Sequence, residues 1–402
     1  MRLRRVGIGA AVLALTLGAA ACGSSSKTAD SSNSSSTSSS SSSSVESSSS
    51  SAPDSSAMGS SGMGSSAMSS SAVDSASSGS SAGGDTSGSS GATDATAVTV
   101  PAGGKSIKSI KIGFAQRTAN APYYVAMQKK AEELASTAGF SLLFQSANGD
   151  PVTQIDQVNT LISQGVDVLI VNAVSAGTEK PQMTAAAGKK PLLFIDTSIP
   201  DVGFTTVQSD NEKIGHDSGM LMAKRIGTGK SVKVAILNGG PTDVDVGPAR
   251  RNGFLSGLKD GGVTADIVGD TEADYAQDKA VQATEDMLTA NPGIDVIFGY
   301  NDAMALGALS VLKTKNNTHA LVAGVDGQKE ALAAISSGGC TGQYVSTGLN
   351  SPSLATVAAV QAAIDVATGT KKTTDFAKTS YTTAARINCD NVAKYYDPKS
   401  VF

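Results

Sequence analysis

Apolar runs that stop on a single polar side chain are the first chemistry this sequence offers. Ile110–Ala115 leads through Gln116 to Arg117, Val166–Val171 to Asn172, and Pro191–Ile195 to Asp196. Phe298–Tyr300 leads to Asn301, and Leu321–Val325 to Asp326. A polar group abutting a buried strand needs a hydrogen-bond partner. Taken singly, each is met as readily by a loop amide as by a ligand; together they read as a ligand set. Arg250, the adjacent pair Tyr123 and Tyr124, and Tyr275 extend it. Carboxylates and amides bond hydroxyls, guanidinium supplies planar donors, and aromatic faces cover the C–H faces of a sugar ring. The chemistry suits a neutral polyhydroxy compound, although each tyrosine alone is more often a helix-packing residue than a ligand contact.

Other chemistries lack their residues. No strand-to-helix junction carries a G-x-S-x-G nucleophile elbow, and there is no Gly-rich phosphate loop with Lys and Ser/Thr. His216 and His319 are the only histidines, and neither sits at a ligand spacing from a cysteine. No catalytic residue, cofactor or metal is therefore expected; Asp196 and Asp326 as a glycosidase pair is the remaining enzymatic reading. A net charge of −4 gives no electrostatic footprint for nucleic acid.

The elements that must position these groups alternate in type. Ile110–Ala115, Ser141–Gln145, Val166–Val171, Pro191–Ile195 and Phe204–Val207 read as strands. Between the first two, Pro122 opens a helix with Met127, Ala131, Leu134 and Ala138 on one face, and Gly139 closes it. The grammar restarts with strands at Lys233–Leu237 and Val263–Val268, the strands before Asn301 and Asp326, and Gly342–Ser346. Repeated βα units with right-handed crossovers predict an α/β fold of two doubly wound lobes with parallel sheets. Parallel strands that end on polar groups deliver them to the crevice where open α/β sheets bind ligands.

The leading segment has a different composition. Met1–Cys22 has a basic start, the apolar run Val6–Leu17 and small residues before Cys22, which reads as a secretory signal. It resembles the lipobox of bacterial lipoproteins, in which the cysteine is lipidated, with Ala19 where that family usually has Leu. A plain signal peptide is the alternative. Residues 23–104 are Ser-rich, too poor in apolar surface to offset their ordering entropy, and read as a disordered tether. Setting Cys22 aside leaves Cys340 and Cys389, an even pair in an oxidising compartment, expected to form a disulfide.

After the tether the chain resembles the periplasmic binding proteins of ribose/galactose type, the ligand-capturing subunits of sugar ABC importers. The resemblance rests on APYYVAM near Pro122, LIVNAVS at Asn172, LLFID at Asp196, SDN at Asp210, YNDAMALGAL at Asn301 and GVDG at Asp326. It implies two Rossmann-like lobes joined by three hinge crossings, near Ser209–Asn211, Ser346–Thr347 and Thr379–Thr383. Residues 105–209 and 347–377 would form one lobe, 210–346 and 378–402 the other. It implies that Arg117, Tyr123, Tyr124, Asn172, Asp196, Arg250, Tyr275, Asn301 and Asp326 contact a monosaccharide or polyol. Arg117 stands where a small hydroxyl residue is usual, and Ser346 where a longer amide is expected. The implied function is capture outside the cytoplasm and delivery to an ABC permease, by a monomer held to the membrane through a lipid anchor alone. A sugar-sensing module for a chemoreceptor or sensor kinase is the alternative, a sugar-acting enzyme the third. Asp326→Ala or Asn301→Ala is expected to remove most affinity and leave thermal stability nearly intact.

Overall fold

The apolar runs form the strands of two sheets in the computed structural model, which describes residues 95–402. The signal segment, Cys22 and the tether up to residue 94 lie outside the described residues. The first half of the chain runs β1 (Lys111–Gln116), α1 (Pro122–Ala138), β2 (Ser141–Ser146), α2 (Pro151–Ser163) and β3 (Val168–Val171). It continues through α3 (Ala176–Ala187), β4 (Leu192–Ile195), β5 (Thr206–Gln208) and α4 (Asn211–Ile226). Next come β6 (Ser231–Asn238), α5 (Val246–Asp260), β7 (Thr264–Glu272), α6 (Gln277–Ala290) and β8 (Val296–Gly299). The remainder is α7 (Asp302–Thr314), β9 (Leu321–Asp326), α8 (Lys329–Gly338), β10 (Tyr344–Leu349), α9 (Pro352–Thr368), β11 (Thr379–Tyr381) and β12 (Arg386–Ile387).

Strand order is β11-β5-β4-β3-β1-β2 in the first sheet and β12-β10-β9-β8-β6-β7 in the second. All pairings are parallel except β10 with β12. Strands β3, β4 and β8 are buried along their whole length, which is why their sequences are unbroken apolar runs rather than alternations. On one face of the first sheet Met127 of α1 and Ile364 of α9 pack with Phe114 and Ile170. On the other, Leu161 of α2 and Met183 of α3 pack with Leu169 and Phe194. The second lobe has one continuous core that includes Phe254, Phe298 and Leu312.

The chain passes between the sheets after β5, after β10 and after β11. Two expected boundaries move. Residues 347–349 belong to β10 and the second sheet, so that crossing falls at Asn350–Ser351. The sequence reads as a strand end there because Ser346 and Thr347 are polar. Both are fully buried, bonded to Ser218 at 2.9 Å and to Asp302 at 2.8 Å. Likewise β11 adds to the edge of the first sheet, so residues 379–381 are not part of the second lobe. The tether expected up to residue 104 also ends earlier. Thr99 exchanges two hydrogen bonds with Gln361 of α9, and the Lys105 N–H donates to Thr368 O at 2.9 Å.

Cys340 and Cys389 are joined in a disulfide, closing a separation of 49 residues. Such a loop contributes on the order of 3–4 kcal/mol in the chain-entropy account. Asp390 lies beside both sulfurs, but these bonded cysteines offer no thiolate for a metal.

One buried acid has no counterpart. Glu179, in the first turn of α3, is fully buried with neither carboxylate oxygen hydrogen-bonded. Burial raises its pKa from 4.5 to about 7; the nearby Ser175 and Val174 amides, outside good hydrogen-bond geometry, and the Arg117 charge oppose this only in part. The folded state therefore holds a proton that the unfolded chain releases. The stability this gives is complete below pH 4.5 and lost as pH rises through about 7. Glu179→Gln is expected to unfold at higher urea than wild type at pH 8, by on the order of 1 kcal/mol, and to match it near pH 4.5. Equal midpoints at pH 8 would contradict the assignment.

Candidate functional site

Carboxylates at strand ends are held by unusual backbone. Asp196 follows β4 with φ +64°, and the Thr197 N–H donates to Ile195 O at 2.7 Å across it, a γ-turn centred on the acid. Asp326, the last residue of β9, has φ +128°. L residues rarely adopt either conformation, and strain of this kind persists only where its surroundings over-determine it. At Asp326 the surroundings are supplied by Asp302, fully buried at the start of α7. Its carboxylate accepts the N–H groups of Gly327 and Gln328, both at 2.8 Å, and the hydroxyls of Tyr344 and Thr347. Asn301 caps the same helix, accepting the Met304 N–H at 2.9 Å, and donates to Tyr275 O at 3.2 Å.

Arg250 enters from α5. That helix lies so close to α4 that a Cβ on Gly215 would sit 2.2 Å from Arg250 O, and one on Gly253 2.1 Å from Glu212 O. This approach, legible as G-x-x-x-G at 215/219 and at 253/257, brings the Arg250 guanidinium under the cleft. It donates to Asn211 Oδ1 at 2.9 Å and Tyr300 O at 2.8 Å, and pairs with Asp326 at 3.1 Å. Arg250 is 2 % exposed and Asp326 4 %. Burial disfavours the Arg250 cation, but the neighbouring acids, Asp326 first, outweigh it and the pKa is raised. Burial pushes the Asp326 carboxyl up to about 7 even with Arg250 beside it, and raises that of Asp196.

These groups converge on one cavity of about 50 Å³ at the C-terminal ends of both sheets. Of the expected site residues, Arg117, Tyr123, Tyr124 and Asp196 line it from the first lobe, and Arg250, Tyr275, Asn301 and Asp326 from the second. Burial raises the phenol pKa of Tyr123 and carries that of Tyr124 to about 12, so both act as hydroxyl donors near neutrality. A wider groove of about 370 Å³ shares Asp326, but its other charged lining residues are Lys129, Lys130, Glu133 and Lys399, none of them buried.

Asn172 departs from expectation. It is fully buried behind the wall, donating to Ile195 O, Asp196 and Thr197 Oγ1 at 3.0, 3.3 and 2.8 Å. It secures the γ-turn instead of lining the cavity. Ser346 also points away, onto Ser218. The amide that joins Asn301 on the cavity wall is Asn350, at the second crossing. Its Nδ2 donates to Asp326 at 3.0 Å, while its Oδ1 accepts from Tyr123 at 3.2 Å and Ser209 at 2.7 Å. Ser209 in turn bonds Thr382 at 3.0 Å, so residues of all three crossings are joined. Asn350 repeats the strand-then-polar pattern and was legible once β10 is extended to Leu349. Asp243, also on the wall, lies in a loop without periodicity and gave no signal.

The structure also corrects the expected harmlessness of two substitutions. Asp326→Ala would leave Arg250 buried without its anion, and Asn301→Ala removes a helix cap worth about 1 kcal/mol. Both cost stability as well as contacts.

Two parallel α/β lobes, three crossings and a polar cavity walled by both lobes define a bilobal solute-binding protein. The family model for the periplasmic binding protein domain matches residues 112–371, and the chain belongs to that family. It is 32% identical over 237 residues to the ribose import binding protein of Bacillus subtilis, covering 58% of this chain and 75% of that one. It is 33% identical to the xylitol-binding protein of Mycolicibacterium smegmatis, covering 53% of this chain and 61% of the relative. Among solved structures, an ABC transporter solute-binding protein from Mycobacterium smegmatis with bound glycerol superposes with TM-score 0.65 at 32% identity, covering 73% of this chain and 98% of that one.

Proposed function

We propose that this chain captures a small neutral carbohydrate or polyol in the cavity between its lobes and delivers it to an ABC importer. The observation that carries the reading is the convergence of Asp196, Arg250 and Asp326 with the crossing residue Asn350 on one cavity. A ligand bonded to groups of both lobes favours the closed arrangement, since it shifts the population toward the state it binds better. The relatives that bind ribose and xylitol, and the structure holding glycerol, support a ligand of this size and polarity.

Capture without turnover is part of the reading: Asp326 is paired with Arg250, and Asp196 is held by Tyr123 and Asn172. Extracytoplasmic placement with a lipid at Cys22 is proposed on the Met1–Cys22 pattern, and the working form is a monomer. No helix among the described residues is long and apolar enough to cross a membrane.

A thermal-shift screen of pentoses, hexoses, polyols and sugar acids tests the reading. A ligand at a hundred times its Kd stabilises the folded state by about 2.7 kcal/mol, which raises the melting temperature by a few degrees. The compound that does so is expected back unchanged after prolonged incubation. No shift with any of them, or a new product, would refute the proposal.

A further inference from the structure

The cavity has a second charged wall, apart from the Arg250–Asp326 pair. Arg117, in the loop from β1 to α1, brings a half-buried guanidinium that makes no hydrogen bond or ion pair among the described residues. From the second lobe come Asp243, after β6, and Tyr275, after β7. The Tyr275 hydroxyl donates to the Asp243 carboxylate, which also accepts the Gly247 N–H at 3.1 and 3.2 Å.

This wall is built in detail. A Cβ on Gly239 would lie 2.3 Å from the Tyr275 ring, and one on Gly247 2.1 Å from the Asp243 carboxylate. Asp274 and Tyr275 are consecutive non-glycine residues with φ +47° and +57°. Each such conformation is strained for a residue with a side chain and persists where a position is over-determined. Here the turn presents an aromatic ring and, through it, a fixed carboxylate to the cavity.

The charges around Arg117 define what fits between them. Asp196 of its own lobe and Asp243 of the other act on it electrostatically; Tyr124 and Tyr275, whose phenols burial keeps protonated, add no charge. Neither acid comes within ion-pair distance of the guanidinium. A group placed there must accept from a guanidinium and donate to a carboxylate. A hydroxyl does both. A carboxylate or phosphate would accept from Arg117 and be repelled by Asp243 and Asp196, with no proton to offer either.

We propose that Arg117 and Asp243 form a hydroxyl-reading subsite that spans the lobes and makes the protein select neutral polyols and sugars over the corresponding acids. The proposal rests on the reading of the cavity as a carbohydrate site and adds Asp243 as a specificity-determining residue.

The test is calorimetry on the full chain with matched pairs: xylitol with xylonate, ribose with ribonate, galactose with galacturonate. Wild type is expected to bind a neutral member about 100-fold more tightly than its acid, the scale of a like-charge juxtaposition. Asp243→Asn is expected to weaken the neutral ligand about tenfold and to lower the neutral-to-acid ratio by at least that factor. Arg117→Gln should weaken the neutral ligand without lowering the ratio. An Asp243→Asn variant that loses both members of a pair equally has lost only support for the wall, and that result overturns the subsite. So does wild type that binds acid and neutral forms alike, a readout that needs no variant to fold. Wild type that binds none of the six compounds overturns the carbohydrate reading itself and the subsite with it.

Discussion

Asp326→Asn is expected to weaken ligand binding at pH 7.5 by about 10- to 150-fold, the range of one charge-assisted hydrogen bond of 1.5–3 kcal/mol. Asparagine keeps the shape and the link to Asn350 but removes the anion that faces both the cavity and Arg250. The loss should depend on pH with a definite sign. Burial raises the Asp326 carboxyl to about 7, so the wild-type acid is increasingly protonated as pH falls below that value. At pH 5.5 wild type and variant then present similar neutral groups, and the gap between them should narrow. Titration calorimetry at the two pH values decides it. A gap that is constant or widens in acid would show that charge on Asp326 is not what the ligand reads.

Arg250→Ala is expected to cost about 3–5 kcal/mol of folding stability, the penalty for leaving a buried charge without its partner. Three bonds fix this guanidinium: to Asn211, to Tyr300 O and to Asp326. Arg250→Lys should recover little, because an ammonium lacks the planar fork that reaches three directions at once. Without Arg250 the Asp326 carboxyl must stay a buried anion or take up a proton, and above pH 7 that carries much of the cost. The double variant Arg250→Met with Asp326→Asn should therefore unfold at higher denaturant than Arg250→Met alone, though neither should bind ligand at wild-type affinity. Additive losses in that cycle, or a single variant within about 1 kcal/mol of wild type, would remove the pair from its assigned role.

Family membership and the bilobal α/β architecture follow from features local enough to read along the chain. Each strand buried on both faces is an unbroken apolar run, and each run stops on the polar residue that the strand's C-terminal end delivers. Arg117, Asp196, Asn301 and Asp326 were found that way, because a period-two backbone carries its last side chain to the sheet edge whatever the rest of the molecule does.

What the tertiary structure decided is which polar ends face the cavity and which hold those that do. Asn172 and Asn301 have the same sequence grammar, yet one braces a γ-turn behind the wall and the other lines it. The signs of φ at Asp196 and Asp326 come from the bonds that surround them. Asp243 reaches the site through a loop whose course depends on Tyr275, 32 residues further on. Such placements are fixed by contacts between segments distant in sequence, and a pattern read along one strand at a time contains no term for them.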